Sequence, residues 1–196
     1  MAAAMPTLLS APGTRLSICG LDEIAALRDH SVTHVLSILD PAWPDPAAFA
    51  EWRAHVRYTL RFHDIIADYP GFDAPARSHV EDVIAFGEAI EAVGEPVGHL
   101  LIHCHAGISR STASMATLLA RELPGQEALV FERLREIRPR AWPNSRMIAF
   151  ADEILGCGGR LIEELRLHYL RQIDSRPELV AMIRGLGRDA EIPSRL

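Results

Sequence analysis

The stretch LLIHCHAGISRSTASM, residues 100–115, constrains the fold more than any other part of the chain. Residues 100–102 form a short apolar run, which is typical of a buried strand. From Ser111 to Arg121 apolar residues recur at helical spacing. The seven residues from Cys104 to Arg110 must therefore turn the chain directly from a strand into a helix.

The rest of the chain repeats this alternation. Strands are predicted at Leu16–Ile18, Val32–Leu39 and Val56–Phe62, and helices at Asp22–Arg28, Pro46–Arg53, Ala76–Ala92, Gln126–Ile137, Ser145–Leu155, Arg160–Ile173 and Pro177–Arg184. Alternating strands and helices favour an α/β fold, with a mainly parallel sheet flanked by helices on both faces. Ligands of such sheets bind at the carboxyl ends of the strands, where the 104–110 turn would lie.

Length and composition indicate one globular domain spanning residues 1–196, with 48% apolar and 23% charged residues. The net charge of −6 gives no basic footprint for nucleic acid or for an anionic membrane, so neither partner is expected. All 20 basic residues are Arg, and this use of Arg without Lys indicates GC-rich coding and a bacterial source.

The three cysteines form no paired framework, which favours a reducing cytoplasm. No apolar run is long enough for a transmembrane helix, and the N-terminal stretch lacks the basic region of a signal peptide. The triplet HCH supplies too few ligands at too tight a spacing for zinc, so neither a metal nor a cofactor is expected.

The turn between strand and helix has the chemistry of an anion site. Gly107 permits the positive φ with which the turn can curl its N–H groups into one bowl. The following helix directs its N-terminus at that bowl, which favours negative charge. Arg110 can hold two oxygens of a tetrahedral oxyanion through its planar fork, so the sequence predicts a phosphate site.

The same field favours the thiolate form of Cys104, which makes this residue a candidate nucleophile toward phosphorus. A Cys and an Arg separated by five residues are by themselves a weak pattern, and a lone Cys is more often an inert buried residue. The combination of apolar strand, His-Cys, Ala-Gly, Arg, hydroxyl residue and helix is much more specific.

The segment HCHAGISRS resembles the HCxxGxxR[S/T] signature of the protein tyrosine phosphatase superfamily, most closely its small dual-specificity-like members. The segment RPRAWPNSRMIAF is also similar to the sequence that follows the catalytic helix in this family. The resemblance implies the cysteine-phosphatase fold, with a catalytic core over about 14–156 and a C-terminal helical extension over about 157–196.

The resemblance also implies roles for individual residues. Cys104 would be the nucleophile and Arg110 the phosphate clamp, while Ser111 would help the phosphoenzyme break down and His103 would order the loop behind the cysteine. The phosphate would be held by the loop residues His105, Ala106, Gly107, Ile108, Ser109 and Arg110.

The implied activity is hydrolysis of phosphomonoesters, on a phosphotyrosine-containing protein or a small phosphorylated substrate. Whether such an enzyme accepts phosphotyrosine alone or also phosphoserine and phosphothreonine stays open. An alternative is an inositol phosphate or phosphoinositide substrate, although lipid-directed relatives often carry lysines where this loop has His105 and Ile108. A phosphate-binding module without turnover is the non-enzymatic alternative.

The resemblance implies a general acid, an Asp on a loop after the preceding strand, and four candidates exist: Asp45, Asp64, Asp68 and Asp73. Asp45 belongs to a WPD tripeptide but follows the wrong strand, and we interpret this segment as a proline-rich loop in which Trp43 is a packing residue. Asp64 is favoured because it ends the strand Val56–Phe62, which is expected beside the strand leading to Cys104. Asp68 and Asp73 stay open, with a solvated loop carboxylate as the preferred interpretation of each.

A cluster of arginines at positions 133, 135, 138 and 140 follows in the segment RLREIRPR. A solvated helix face is the preferred interpretation, and a surface for a phosphate-rich substrate is the alternative.

Overall fold

The structure, a computed structural model, describes residues 13–92 and 98–194. Its sheet has four parallel strands in the order β1-β4-β2-β3, namely β1 (Arg15–Cys19), β2 (His34–Leu39), β3 (Val56–Arg61) and β4 (His99–His103). Within the described residues there are six α-helices, namely α1 (Arg77–Ala92), α2 (Arg110–Glu122), α3 (Glu127–Ile137), α4 (Ser145–Ile154), α5 (Arg160–Ser175) and α6 (Glu178–Gly185). The predicted α/β class with a parallel sheet is confirmed.

Both faces of the sheet are covered, because side chains alternate along each strand. Leu100 and Ile102 of β4 belong to the large core cluster under the α-helices, whereas Leu101 faces a smaller cluster on the other side. That second face is covered by Leu21–Leu27 and Ala47–Glu51, which are 3-10 helices at the positions of two predicted helices. 3-10 helices are frequent as connectors, because each of their hydrogen bonds closes a turn of only three residues.

One expectation about strand order is wrong. The strand carrying Asp64 was expected to lie beside the strand leading to Cys104, but β3 pairs with β2, and β2 lies between β3 and β4. All five residues of β4 are buried, as a central parallel strand requires. Periodicity identifies such a strand but carries no information about its partner.

The C-terminal helices α5 and α6 pack on the same core as α2. Leu161, Leu165, Leu179 and Ile183 are buried within the large cluster. The three cysteines are free and buried. Within residues 13–92 and 98–194, no helix has the length and apolar character needed to cross a membrane.

Candidate active site

The loop between β4 and α2 turns its carbonyl oxygens outward. The carbonyls of residues 105–109 all accept hydrogen bonds from the surrounding protein. The donors include the amides of Leu21, Trp142 and Ala113, the hydroxyl of Thr112 and the guanidinium of Arg138. In the described part of the chain, the amides of residues 105–109 donate to no acceptor. These amides are therefore available, beside the N-terminus of α2, to bind an oxyanion.

Gly107 gives the loop its curvature. Its φ is +64°, the left-handed region predicted from the sequence. A Cβ at this position would lie 2.6 Å from the carbonyl oxygen of Cys19 and 2.6 Å from the amide nitrogen of Gly20. The loop is pressed against the end of β1, so both the conformation and the space require glycine.

Cys104 lies at the start of the loop and is 2% exposed. Its Sγ lies 3.1 Å from the Oγ of Ser111, within hydrogen-bonding distance for sulfur. The other two thiols are in less reactive surroundings: burial, assisted by Glu23, raises the pKa of Cys19 to about 12, and burial also raises the pKa of Cys157. Cys104 lies before the N-terminus of α2 and beside the Ser111 hydroxyl.

His103 is fully buried behind the loop, and its Nε2 lies 2.7 Å from the Oγ of Ser37 on the neighbouring strand β2. Burial lowers the pKa of His103 to about 4. The imidazole is therefore neutral at physiological pH, and it links the end of β4 to β2 without adding charge beneath the cysteine.

Arg110 is held at the other end of the loop and is 2% exposed. Its Nη1 donates to the Oδ1 of Asp40 and to the carbonyl oxygen of Phe62, each at 2.6 Å. Its Nε is buried and has no hydrogen-bond partner among the described residues. The guanidinium is thus oriented by Asp40 while retaining a donor for an oxyanion.

Asp64 reaches this loop from the end of the strand β3. Its Oδ1 accepts hydrogen bonds from Ser109 Oγ at 2.6 Å, Asn144 Nδ2 at 3.0 Å and Arg188 Nη1 at 3.1 Å. Its Oδ2 receives no hydrogen bond from any residue that the structure describes. A carboxyl group held through one oxygen can carry a proton on the other.

The three other candidate acids make contacts away from the loop. Asp45 forms ion pairs with Arg57 and Arg61. The side chain of Asp68 is 82% exposed and pairs with Arg146. Asp73 is exposed, and its backbone amide donates to His63. The geometry therefore favours Asp64 as the candidate acid.

Two surface interpretations need correction. Trp43 was expected to be a packing residue, but it is 46% exposed and its ring centroid lies 4.6 Å from that of His105 in the loop. Arg138 was assigned to a solvated helix face, yet its side chain is only 12% exposed and pairs with Glu23 at 2.7 Å. Because α3 ends at Ile137, Arg138 leaves the helix surface and turns toward the loop carbonyls.

Sequence reasoning missed Asp40 and Arg188 as neighbours of the site. Asp40 had a usable signal, since it directly follows a predicted central strand at the edge where ligands bind. Arg188 had none, because it lies 124 residues from the carboxylate it contacts.

No family model matches the chain. Human dual specificity protein phosphatase 12 is 32% identical over 127 residues, which cover 60% of this chain and 32% of that protein. The chain thus spans about a third of the length of the curated relative it matches. The Yvh1 phosphatase domain from Chaetomium thermophilum has a similar structure, with a TM-score of 0.54, 21% identity, and coverage of 79% of this chain and 97% of the domain.

A second solved structure with this fold is the human tyrosine phosphatase-like serine/threonine/tyrosine-interacting protein. Its TM-score is 0.55 at 18% identity, with 75% of this chain and 93% of that chain covered. At these identities the structural similarity shows the fold.

Proposed function

We propose that the chain, as a small dual-specificity-phosphatase-like member of the protein tyrosine phosphatase superfamily, hydrolyses phosphate monoesters on phosphotyrosine-containing proteins. Phosphoserine and phosphothreonine are further substrates within the same proposal. The observation that supports it most is the loop itself, with Cys104 at one end, Arg110 at the other and outward-facing carbonyls between them. The whole chain is proposed to act as one domain that includes α5 and α6.

The first step transfers the phosphoryl group to sulfur. The amides of the loop and Arg110 hold the phosphate oxygens, while the Cys104 thiolate attacks phosphorus from the side opposite the ester oxygen. An S–P bond forms and the P–O bond to the substrate breaks. Asp64 supplies the proton that the departing oxygen needs.

The second step releases inorganic phosphate. Asp64, now a carboxylate, takes a proton from a water molecule that attacks phosphorus, and the S–P bond breaks. Ser111 Oγ, 3.1 Å from Sγ, can donate to the sulfur as it becomes a thiolate again. The cycle restores the thiolate and the protonated acid, so no co-reactant other than water is needed.

The surroundings of the loop support an aryl phosphate more than a polyphosphorylated inositol. Asp40 and Asp64 border the loop, and the chain carries a net charge of −6 without any lysine. The net negative charge of the chain disfavours a substrate with several phosphates. The exposed ring of Trp43, whose centroid lies 4.6 Å from that of His105 in the loop, offers an apolar contact to a phosphotyrosine-containing segment.

The non-enzymatic alternative, a phosphate-binding module, has support from the fold alone. A neighbour of the same fold is named a phosphatase-like interacting protein, and a fold does not by itself imply turnover. Turnover is favoured here because the loop brings three groups together. Cys104 lies beside the Ser111 hydroxyl, and Asp64 accepts a hydrogen bond from Ser109 of the same loop.

We also propose a cytoplasmic location and a bacterial source for the protein. Three free buried cysteines suit a reducing, cytoplasmic compartment, and the use of Arg without Lys suits a bacterial source. Phosphorylated molecules are the proposed partners.

A substrate panel tests the proposal. Initial rates with phosphotyrosine, phosphoserine and phosphothreonine peptides should exceed those with inositol phosphates and phosphoinositide vesicles. The highest kcat/KM on an inositol phosphate or phosphoinositide would replace the substrate class. Vanadate binding with no turnover of any substrate would instead favour the binding module.

A further inference from the structure

A buried ion pair connects the C-terminal segment to the proposed acid. Arg188 and Glu191 are 1% and 2% exposed, and their side chains approach to 2.6 Å. The guanidinium uses its Nε to donate to Glu191 at 2.9 Å. Its Nη1 extends in the other direction, to Asp64 Oδ1 at 3.1 Å and to Ser109 Oγ at 2.7 Å. One guanidinium therefore bridges a carboxylate of the C-terminal segment and a carboxylate at the loop.

Glu191 is itself fixed by the core of the protein. Its Oε2 accepts from the indole N–H of Trp142 at 3.0 Å, and its Oε1 accepts from the amide of Ser145 at 2.7 Å. Both donors lie in the segment that precedes or begins α4, beside Asn144. Since Asn144 also donates to Asp64, the acid is held both by this segment directly and by Arg188, which Glu191 ties to the same segment.

Burying a guanidinium is costly unless it is paired and its hydrogen bonds are satisfied. Although burial acts to lower the pKa of Arg188, the carboxylates of Asp64 and Glu191 raise it above its ordinary value. The group therefore stays charged. The charged guanidinium of Arg188 thus connects the C-terminal segment to the carboxylate of Asp64.

We propose that Arg188, held by Glu191, is a positioning residue for the acid Asp64, an inference that rests on the proposed phosphatase function. Arg188, Asn144 and Ser109 all donate to the same oxygen, Oδ1. This oxygen is occupied by three donors and cannot readily carry a proton. The proton resides on Oδ2, and the carboxyl plane is fixed in the orientation needed to reach the leaving oxygen.

The consequence is a specific kinetic signature. Misplacing a catalytic group by about 1 Å can cost up to about 10²-fold in rate. In an Arg188→Met variant, kcat/KM for a phosphotyrosine peptide should fall by about 10- to 10²-fold. For p-nitrophenyl phosphate it should fall much less, because nitrophenolate can leave without a proton. Inhibition by vanadate should change much less than the peptide rate, because the loop amides and Arg110 are intact and only the contact to the Ser109 side chain is lost.

Arg184→Met is the matched control. Arg184 lies on the same C-terminal segment and pairs with Asp189, but both side chains are more than 60% exposed and neither touches Asp64. This variant should match the wild type on both substrates. The proposal would be overturned if Arg184→Met lost as much kcat/KM on the phosphotyrosine peptide, relative to p-nitrophenyl phosphate, as Arg188→Met does. The loss would then follow from any change in the C-terminal segment.

A double-variant cycle separates positioning from a merely structural role. If Arg188 acts through Asp64, adding Arg188→Met to Asp64→Asn should cause no further loss with the phosphotyrosine peptide. Losses that multiply, or equal losses on both substrates in Arg188→Met, would refute the inference.

Arg188→Lys keeps the test decisive where Arg188→Met does not fold. Lys retains the buried charge, but one ammonium lacks the planar fork that serves both carboxylates. The ratio of kcat/KM values for the two substrates should still fall, and a wild-type ratio in this variant would overturn the inference. Failure of the proposed function is distinguishable, because the wild-type protein itself would then show no turnover.

Discussion

Replacing Gly107 with Ala should destabilise both the protein and its anion site. The residue has φ +64°, and an added Cβ would lie 2.6 Å from two backbone atoms of the Cys19–Gly20 segment. The left-handed conformation costs a non-glycine residue about 1–2 kcal/mol. Overpacking against backbone adds about 1–3 kcal/mol, because neither the end of β1 nor the loop can move without losing hydrogen bonds.

Gly125→Ala separates these two effects. Gly125 has φ +77°, but a Cβ there would meet nothing within 4 Å. It therefore incurs the conformational cost alone, about 1–2 kcal/mol. Urea denaturation followed by tryptophan fluorescence should show Gly107→Ala less stable than Gly125→Ala by about 1–3 kcal/mol.

Vanadate inhibition provides a second readout. Gly107→Ala should bind vanadate more weakly because its loop amides are displaced, whereas Gly125→Ala should bind it as the wild type does. Equal stability of the two variants, together with equal vanadate inhibition, would refute the assignment of Gly107 as the residue that sets the loop.

Other substitutions test the remaining chemistry. Cys104→Ser should abolish hydrolysis of an aryl phosphate yet retain vanadate binding, and turnover within about tenfold of wild type would contradict a covalent intermediate. Asp64→Asn should slow hydrolysis of a phosphotyrosine peptide by about 10²–10⁴-fold and that of p-nitrophenyl phosphate much less, whereas the control Asp68→Asn should change neither rate. If Asp68→Asn shows this selective loss and Asp64→Asn does not, the acid is Asp68. Arg138→Met should weaken vanadate inhibition, because two loop carbonyls lose a donor; unchanged inhibition would contradict its supporting role. Hydrolysis should persist in the presence of a chelator. Loss of activity in the chelator, with recovery on adding a metal ion, would refute metal independence.

Part of this site could be predicted from the sequence because it is local. The strand, the turn and the helix around Cys104 are consecutive, so periodicity gives the elements and spacing gives the anion site. The positive φ of Gly107 follows for the same reason, since a turn this short allows few other conformations. Asp64, the favoured candidate for the acid, does contact the loop through Ser109, although the argument from strand neighbours was wrong and its role as the acid stays a prediction.

The tertiary structure decided which distant side chains meet. Placing β2 beside β4 brings Asp40 to the guanidinium of Arg110, which also donates to the carbonyl oxygen of Phe62 just after β3. The donors to Asp64 come from Ser109, Asn144 and Arg188, which are 45, 80 and 124 residues away. Apolar periodicity reports which face of an element is buried, but a single polar contact leaves no periodic trace. The partner of a polar side chain is determined only by the order of the strands and by the packing of the C-terminal helices against the core.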